Sequence, residues 1–143
     1  KNIKVQIYSK SNEGETAAET VVRMLQNNGY SVDYTGNYET GFYLARINSE
    51  SNFVTGNIPE DLRTKLEEHG FEIYDFTPNS LGDYDFTKGS GWMYQVNGVY
   101  PNYGLSDYCF QNGDTLRLRF TLAYGADIGQ DMTGGSDNWG YEW

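Results

Sequence analysis

Ile3, Val5 and Ile7 alternate with Lys4, Gln6 and Tyr8, the period-two pattern of a strand with one buried face. A polar loop from Ser9 to Gly14 follows, and the period then changes. Ala18, Val21, Val22 and Leu25 recur at helical spacing, Thr16 and Glu19 stand at the spacing of a capping box, and Gly29 lies just past the last periodic residue. Glu19 and Arg23, one turn apart, are expected to pair on that helix. Tyr30, Val32 and Tyr34 predict a strand, Gly36-Asn37 a turn, and Phe42 to Ile47 a further strand.

Pro59 suits the first position of a second, shorter helix, Leu62 and Leu66 share one of its faces, and Gly70 ends it after His69. The run Leu66 to Ile73 rhymes with Leu25 to Val32, so a strand is expected after Gly70 as after Gly29; two occurrences of one helix stop do not make a solenoid. Thr77 to Ser90 reads as a turn-rich connection holding Asp83, Tyr84, Asp85 and Phe86. Trp92, Tyr94 and Val96 alternate with Met93 and Gln95, and Asn97-Gly98 then supplies the dipeptide suited to a type I′ reversal. After the turn at Asn112-Gly113-Asp114, Leu116, Leu118, Phe120 and Leu122 form a core face, while Thr115, Arg117, Arg119 and Thr121 form a face expected in solvent. Gly125 to Gly140 is rich in Gly, Asp, Asn and Ser, the composition of a disordered tail. Yet Trp139, Tyr141 and Trp143 recur at period two, which predicts that residues 138 to 143 run extended against a sheet edge or an aromatic groove, of their own domain or of a neighbour.

Composition narrows the partners. Lys plus Arg is 10 against 20 for Asp plus Glu, a net charge of −10, and such a surface repels phosphate backbones, so nucleic acid is excluded as a partner. No apolar run approaches the roughly 20 residues of a membrane span, which argues against membrane insertion in this segment. The length suits one domain. The chain starts at Lys1, without a signal peptide or anchor motif, and reads as a segment of a longer secreted protein. Cys109 has no partner cysteine, and between Tyr108 and Phe110 it is expected as a buried structural thiol.

Catalytic constellations are sparse. His69, the single histidine, sits where a helix dipole favours a cation, and one imidazole builds neither a relay nor a His-rich metal site. No serine lies in a nucleophile elbow. Asp83, Asp85, Asp107, Asp114, Asp127 and Asp131 fall in loops where two could converge across a sugar, which keeps a carboxylate-based hydrolase as one reading. Against it, a domain this small offers little room for a deep cleft, and Asp107 and Asp114 suit turn capping. Asp127, Asp131 and Asp137 suggest a calcium loop, but Gly129, Met132 and Asn138 occupy its third, sixth and twelfth positions, so no metal site is assigned. The expectation is no enzyme and no cofactor.

Aromatic content is unusual, with 13 Tyr, 7 Phe and 3 Trp. Trp92, Tyr94, Tyr100, Tyr103 and Tyr108 cluster in sequence, and two roles stand open for them. Trp92 and Tyr94 could be core, shielded by the loop tyrosines; or the rings could form a stacking rim, with Asn97 and Asn102 as amide donors, for a planar or sugar ligand.

The order Gly91-Trp92-Met93-Tyr94, Val96-Asn97-Gly98, Tyr100-Pro101-Asn102, Asp107-Tyr108, Gly113-Asp114 and Arg117-Leu118-Arg119-Phe120 resembles a family of bacterial extracellular domains similar to the C-terminal domain of transcobalamin and intrinsic factor. The match is specific over residues 89 to 129 and looser over 1 to 48, with 49 to 88 as an insertion and 125 to 143 as a Gly-rich tail of a single domain, 1 to 143. The resemblance implies an α+β fold, with five to seven strands in two small, mostly antiparallel sheets, one main helix on a face and a short helix in the insertion. It also implies a non-enzymatic module, extracellular or at the cell surface, with a ligand-binding role inherited in form from the cobalamin carriers: a cobamide or a glycan at Trp92, Tyr94, Asn97, Tyr100, Asn102, Tyr103 and Tyr108. The alternative is a spacer or adhesive module acting through a protein partner.

Overall fold

The computed structural model describes residues 2–6, 14–130 and 139–141. In chain order its elements are β1 (Asn2–Gln6), α1 (Ala17–Asn27), β2 (Tyr30–Thr35), β3 (Tyr43–Ser49), α2 (Glu60–Glu68), β4 (Ser80–Gly82), β5 (Gly91–Val96) and β6 (Thr115–Thr121), with 3-10 turns at Leu105–Asp107 and Ala126–Ile128. The strands form two antiparallel three-stranded sheets, ordered β1-β6-β5 and β2-β3-β4, so the fold is a small α+β domain.

Both sheets and both helices feed one core. Val21 and Leu25 of α1, Leu62 and Leu66 of α2, Ile47, Leu81, and the Leu116, Leu118 and Phe120 face of β6 are all buried in it. Each such side chain contributes roughly 1.5–3 kcal/mol on burial. At the start of α1, the Thr16 hydroxyl accepts the Glu19 N–H at 3.4 Å and donates to the Tyr38 carbonyl at 2.7 Å, so the cap also fixes the turn between β2 and β3. Arg23 does not pair with Glu19. It binds Glu15 at 2.7 Å, because that carboxylate is buried, already takes the Thr20 hydroxyl at 2.6 Å, and needs a cation more than the half-buried Glu19 does.

Gly29 and Gly70 end the two helices at φ +87° and +82°, the left-handed stop expected of both. Their sequels differ. Tyr30 enters β2, whereas residues 71–76 form no strand and meet Phe86 through two backbone bonds, Tyr74 N–H to its carbonyl and its own N–H to Asp75. Conversely, the connection from Thr77 to Ser90 contains β4, whose Leu81 sits opposite Ile47; three residues are too short for a periodic signal.

The C-terminal half of the β6 face expected in solvent is covered, while Thr115 and Arg117 stay half-buried. Arg119 and Thr121 are only 2% and 4% exposed. At φ +89°, Gly125 turns the chain back over them, and a Cβ there would lie 1.7 Å from the Gln130 carbonyl oxygen. The Thr121 hydroxyl donates to the fully buried Asp127 carboxylate and accepts the N–H groups of Ala123 (3.2 Å) and Gly125 (2.7 Å), while Asp127 also takes the Leu122 N–H at 2.8 Å. The tail then docks on this turn: Trp139 N–H reaches the Ala126 carbonyl at 2.8 Å and Tyr141 N–H the Asp127 carbonyl at 2.7 Å. It lies on its own domain and not along a sheet edge. Gly140 at φ +66° breaks the extended run, and the Trp139 ring sits 4.6 Å from the His69 ring with the Lys65 ammonium 5.5 Å away. Trp143 and Asn138 lie outside the described residues.

Cys109 is exposed, not buried. Its neighbours explain this: Phe110 is buried and Tyr108 is half-buried, so the residue between them points outward, with its thiol 3.4 Å from the Glu15 carbonyl.

A candidate aromatic cleft at the edge of β5

β5 pairs with β6 on one side, and its other edge is left open by the way the following turn is built. Asn97 and Gly98 have φ +52° and +84°, and Val96 and Val99 exchange both backbone bonds, at 2.8 and 3.1 Å. Continuing that hairpin would set Pro101 opposite Tyr94, but proline has no N–H to offer. The chain flares away instead. The gap is a cleft of about 420 Å³, walled by Trp92, Met93 and Tyr94 on β5, Phe42, Tyr43 and Leu44 at the start of β3, and the loop from Tyr100 to Leu105, with Leu118 and Gln130 completing it.

Five of the seven residues singled out in the sequence meet here: Trp92, Tyr94, Tyr100, Asn102 and Tyr103. Trp92 is a core residue that also lines the cleft, being 7% exposed, with its indole N–H donating to the Leu81 carbonyl at 2.8 Å and its ring edge-on to Phe120. Tyr94 donates to the Tyr103 carbonyl at 2.5 Å, and Tyr100 donates to the Ile128 carbonyl at 2.7 Å, so two phenols hold the loop at either end. Arg119 fixes Tyr100 in turn, through a bond of 2.9 Å to its hydroxyl. Tyr103 is 61% exposed and forms the outer rim.

Asn97 and Tyr108 do not line the cleft. The Asn97 side chain is consumed in its turn, donating to Asp114 at 2.9 Å and accepting the Thr115 N–H at 2.9 Å. Tyr108 sits edge-on to Phe110 and 6.3 Å from the Tyr94 ring, behind the wall. Phe42, Tyr43 and Leu44 were not anticipated, because they belong to a strand far away in sequence. The one local signal was a tyrosine at a strand position, and Tyr43 is 45% exposed.

Tyr43 donates to Asp83 at 2.7 Å beside Gly91, where a Cβ would stand 3.1 Å from that carboxylate and 3.3 Å from the phenol oxygen. Burial, the bond to Asp83 and its negative charge hold the Tyr43 phenol well above its ordinary pKa. Burial, with the charges of Tyr108 and Asp107 behind it, pushes Tyr94 up to about 12. Tyr100 is also raised by burial, against the opposing pull of Arg119. Near neutral pH these groups are therefore uncharged hydrogen-bond donors, and among the described residues none that lines the cleft is acidic or basic.

Asp83, Asp85, Asp114 and Asp127 all have structural partners. Asp85 is bound by Arg46 at 2.7 Å and takes the Gly82 N–H at 2.9 Å, while Asp114 caps its turn by accepting the Gln111 N–H at 2.7 Å. Asp131 and Asp137 lie outside the described residues. Among the described residues no three His, Cys, Asp or Glu side chains come together as a metal site, and no helix is long and apolar enough to cross a membrane.

The geometry defines a small α+β domain with an uncharged aromatic cleft at a strand edge. Residues 69–121 match the family model described as a domain of unknown function, DUF4430, a transcobalamin-like domain family. The matched stretch carries β4, β5, β6 and the loop over the cleft, but not Phe42 to Leu44 or Gln130. No curated protein and no solved structure matches the chain.

Proposed function

We propose that this chain is a non-enzymatic, extracellular module of a bacterial surface or secreted protein, and that it binds a small neutral ring ligand, a glycan or the edge of a cobamide, in the cleft beside β5. One observation carries the reading: rings of Trp92, Tyr94, Tyr43 and Tyr103 converge on a concavity of ligand size in which no lining residue, among the described ones, is charged. Stacking and hydrogen bonding to neutral groups are what such a surface offers. The transcobalamin-like match over residues 69–121 supports a binding role of this form. Isothermal calorimetry with cobalamin, cobinamide and a panel of neutral oligosaccharides tests it. Heat from at least one, abolished when Tyr94 and Tyr103 are both replaced by Ala, is the expected result; silence across all of them at millimolar ligand overturns it.

A further inference from the structure

The edge of β5 that the hairpin leaves uncovered carries unpaired backbone groups. In an antiparallel pair, successive residues point their N–H and C=O alternately toward the partner strand and away from it. The Asn97 N–H donates to the Thr115 carbonyl, whereas the Val96 groups bond outward to Val99. Counting back by twos along β5, Tyr94 and Trp92 share the parity of Val96, so their N–H and C=O groups point away from β6, to the side where the loop from Tyr100 to Leu105 bounds the cleft. Among the described residues nothing bonds to these four groups. An unpaired strand edge is a template for another strand.

We propose that an extended peptide of a partner protein adds as a strand to this edge, with uncharged residues facing Tyr94 and Trp92 and with cationic ends. This is a second use of the cleft, beyond the ring ligand, and it rests on the backbone of β5 rather than on the rings. The N–H and C=O of one residue in an extended chain belong to two different amides and point the same way. A peptide residue set antiparallel to Tyr94 therefore exchanges both bonds with it, and the residue two further on does the same with Trp92. These bonds lie along the track from which Pro101 diverts the chain. Main-chain bonds of this kind give affinity, and the side chains of alternate residues give specificity. Residues paired across a sheet share a face, so the two that pair here meet the wall of Phe42, Leu44, Leu105 and Leu118. Among the described residues nothing in that lining answers a charge. The surroundings differ: Asp83, bound by Tyr43, and Asp107, whose charge reaches the Tyr94 phenol, stand beside the cleft, while Arg46 is taken up by Asp85 at 2.7 Å. On a chain of net charge −10, that setting favours cationic ends. A second copy of this chain is a poor occupant, because its own β5 edge lies behind the same loop.

The test is calorimetric titration of the full chain with an acetylated, amidated heptapeptide, Lys-Val-Ser-Val-Ser-Val-Lys, and with two N-methylated forms of it. With the valines paired to β5, their N–H groups donate into the ladder and the serine N–H groups point away. Methylating the valine nitrogens is expected to weaken binding at least about tenfold, the effect of losing two modest hydrogen bonds. Methylating the serine nitrogens should change it little. A form with glutamate in place of both lysines should bind more weakly, by a margin that added salt removes. Amide hydrogen exchange reads the same contact from the protein: the Trp92 and Tyr94 N–H groups should slow when the parent peptide is added. Valine methylation that costs no more than serine methylation, peptide binding that leaves both amides unprotected, or a glutamate form that binds as tightly as the parent overturns the inference. Silence from the peptides at millimolar concentration, with heat from an oligosaccharide or corrinoid, overturns it and leaves the ring-ligand reading standing; the expected peptide results with silence from every ring ligand uphold it and remove that reading.

Discussion

Replacing Arg119 by Met tests whether the cover over β6 is part of the fold. The guanidinium is almost fully buried and donates to the Tyr100 hydroxyl (2.9 Å), the Ile128 carbonyl (2.9 Å) and the Tyr141 carbonyl (2.7 Å). A hydrogen bond from a charged donor contributes about 1.5–3 kcal/mol. The losses do not simply add. Tyr100 and Ile128 still satisfy each other at 2.7 Å, and methionine fills the stem volume while removing the cost of holding a cation out of water. The Tyr141 carbonyl keeps no such substitute. A net loss of about 2–4 kcal/mol follows, or roughly 6–15 °C in Tm for a domain of this size. Urea unfolding followed by tryptophan fluorescence measures the loss, and hydrogen exchange at Trp139 and Tyr141 should show the tail released well below the global transition. A loss under about 1 kcal/mol, with both amides as protected as before, would refute the account of Arg119 as the clamp between tail and sheet.

Because the folded Tyr94 phenol titrates near 12 while an unfolded tyrosine titrates near 10, the folded state holds its proton longer; the stability this contributes is complete below about pH 10 and is lost between 10 and 12. Tyrosinate absorbance against pH, compared with Tyr94→Phe, should show that group titrating near 12, and ionisation near 10 would contradict its burial. Gly125→Ala should cost about 3 kcal/mol or more in urea unfolding, since the added methyl meets the Gln130 carbonyl at an unfavourable φ. Thr16→Ala should cost about 1–2 kcal/mol by the same measurement, through loss of the α1 cap and of the bond to Tyr38. Tyr103→Ala should leave stability within about 0.5 kcal/mol, because the bond from Tyr94 goes to the Tyr103 backbone, and should weaken severalfold the binding of any neutral oligosaccharide or corrinoid that gives heat with the unaltered chain.

The elements with a sustained period were legible in the sequence. α1 announces itself through Thr16, its apolar face and Gly29, and β6 through strict alternation from Leu116 to Phe120. What alternation cannot say is whether a polar face meets water: Arg119 and Thr121 obey the pattern of a solvent face and are covered by a segment that begins only at Gly125. The same limit hid β4, too short to show a period, and misplaced Cys109, whose aromatic neighbours turn inward without it. Most of the cleft was legible because the aromatic residues on β5 and in the loop after it are close in sequence. Phe42 to Leu44 were not, since the approach of two sheets leaves no local trace. Asn97 was read as a free amide although its position in a tight turn gives its side chain a nearer employer in Asp114 and Thr115.

The pairing of Asn2 opposite Arg119, with Arg119 in turn holding the Tyr141 carbonyl, has a mechanical consequence. A pull applied through residues 2 and 141 crosses the β1–β6 ladder at one end, and at the other the Arg119 guanidinium and the backbone bonds of Trp139 and Tyr141 to Ala126 and Asp127. The load path is short and runs along β6, while β3 and the far edge of β5 stand outside it. Tension would strip the tail from the Ala126–Ile128 turn and shear β1 first, and the two facing walls of the cleft would feel force only after those links had parted.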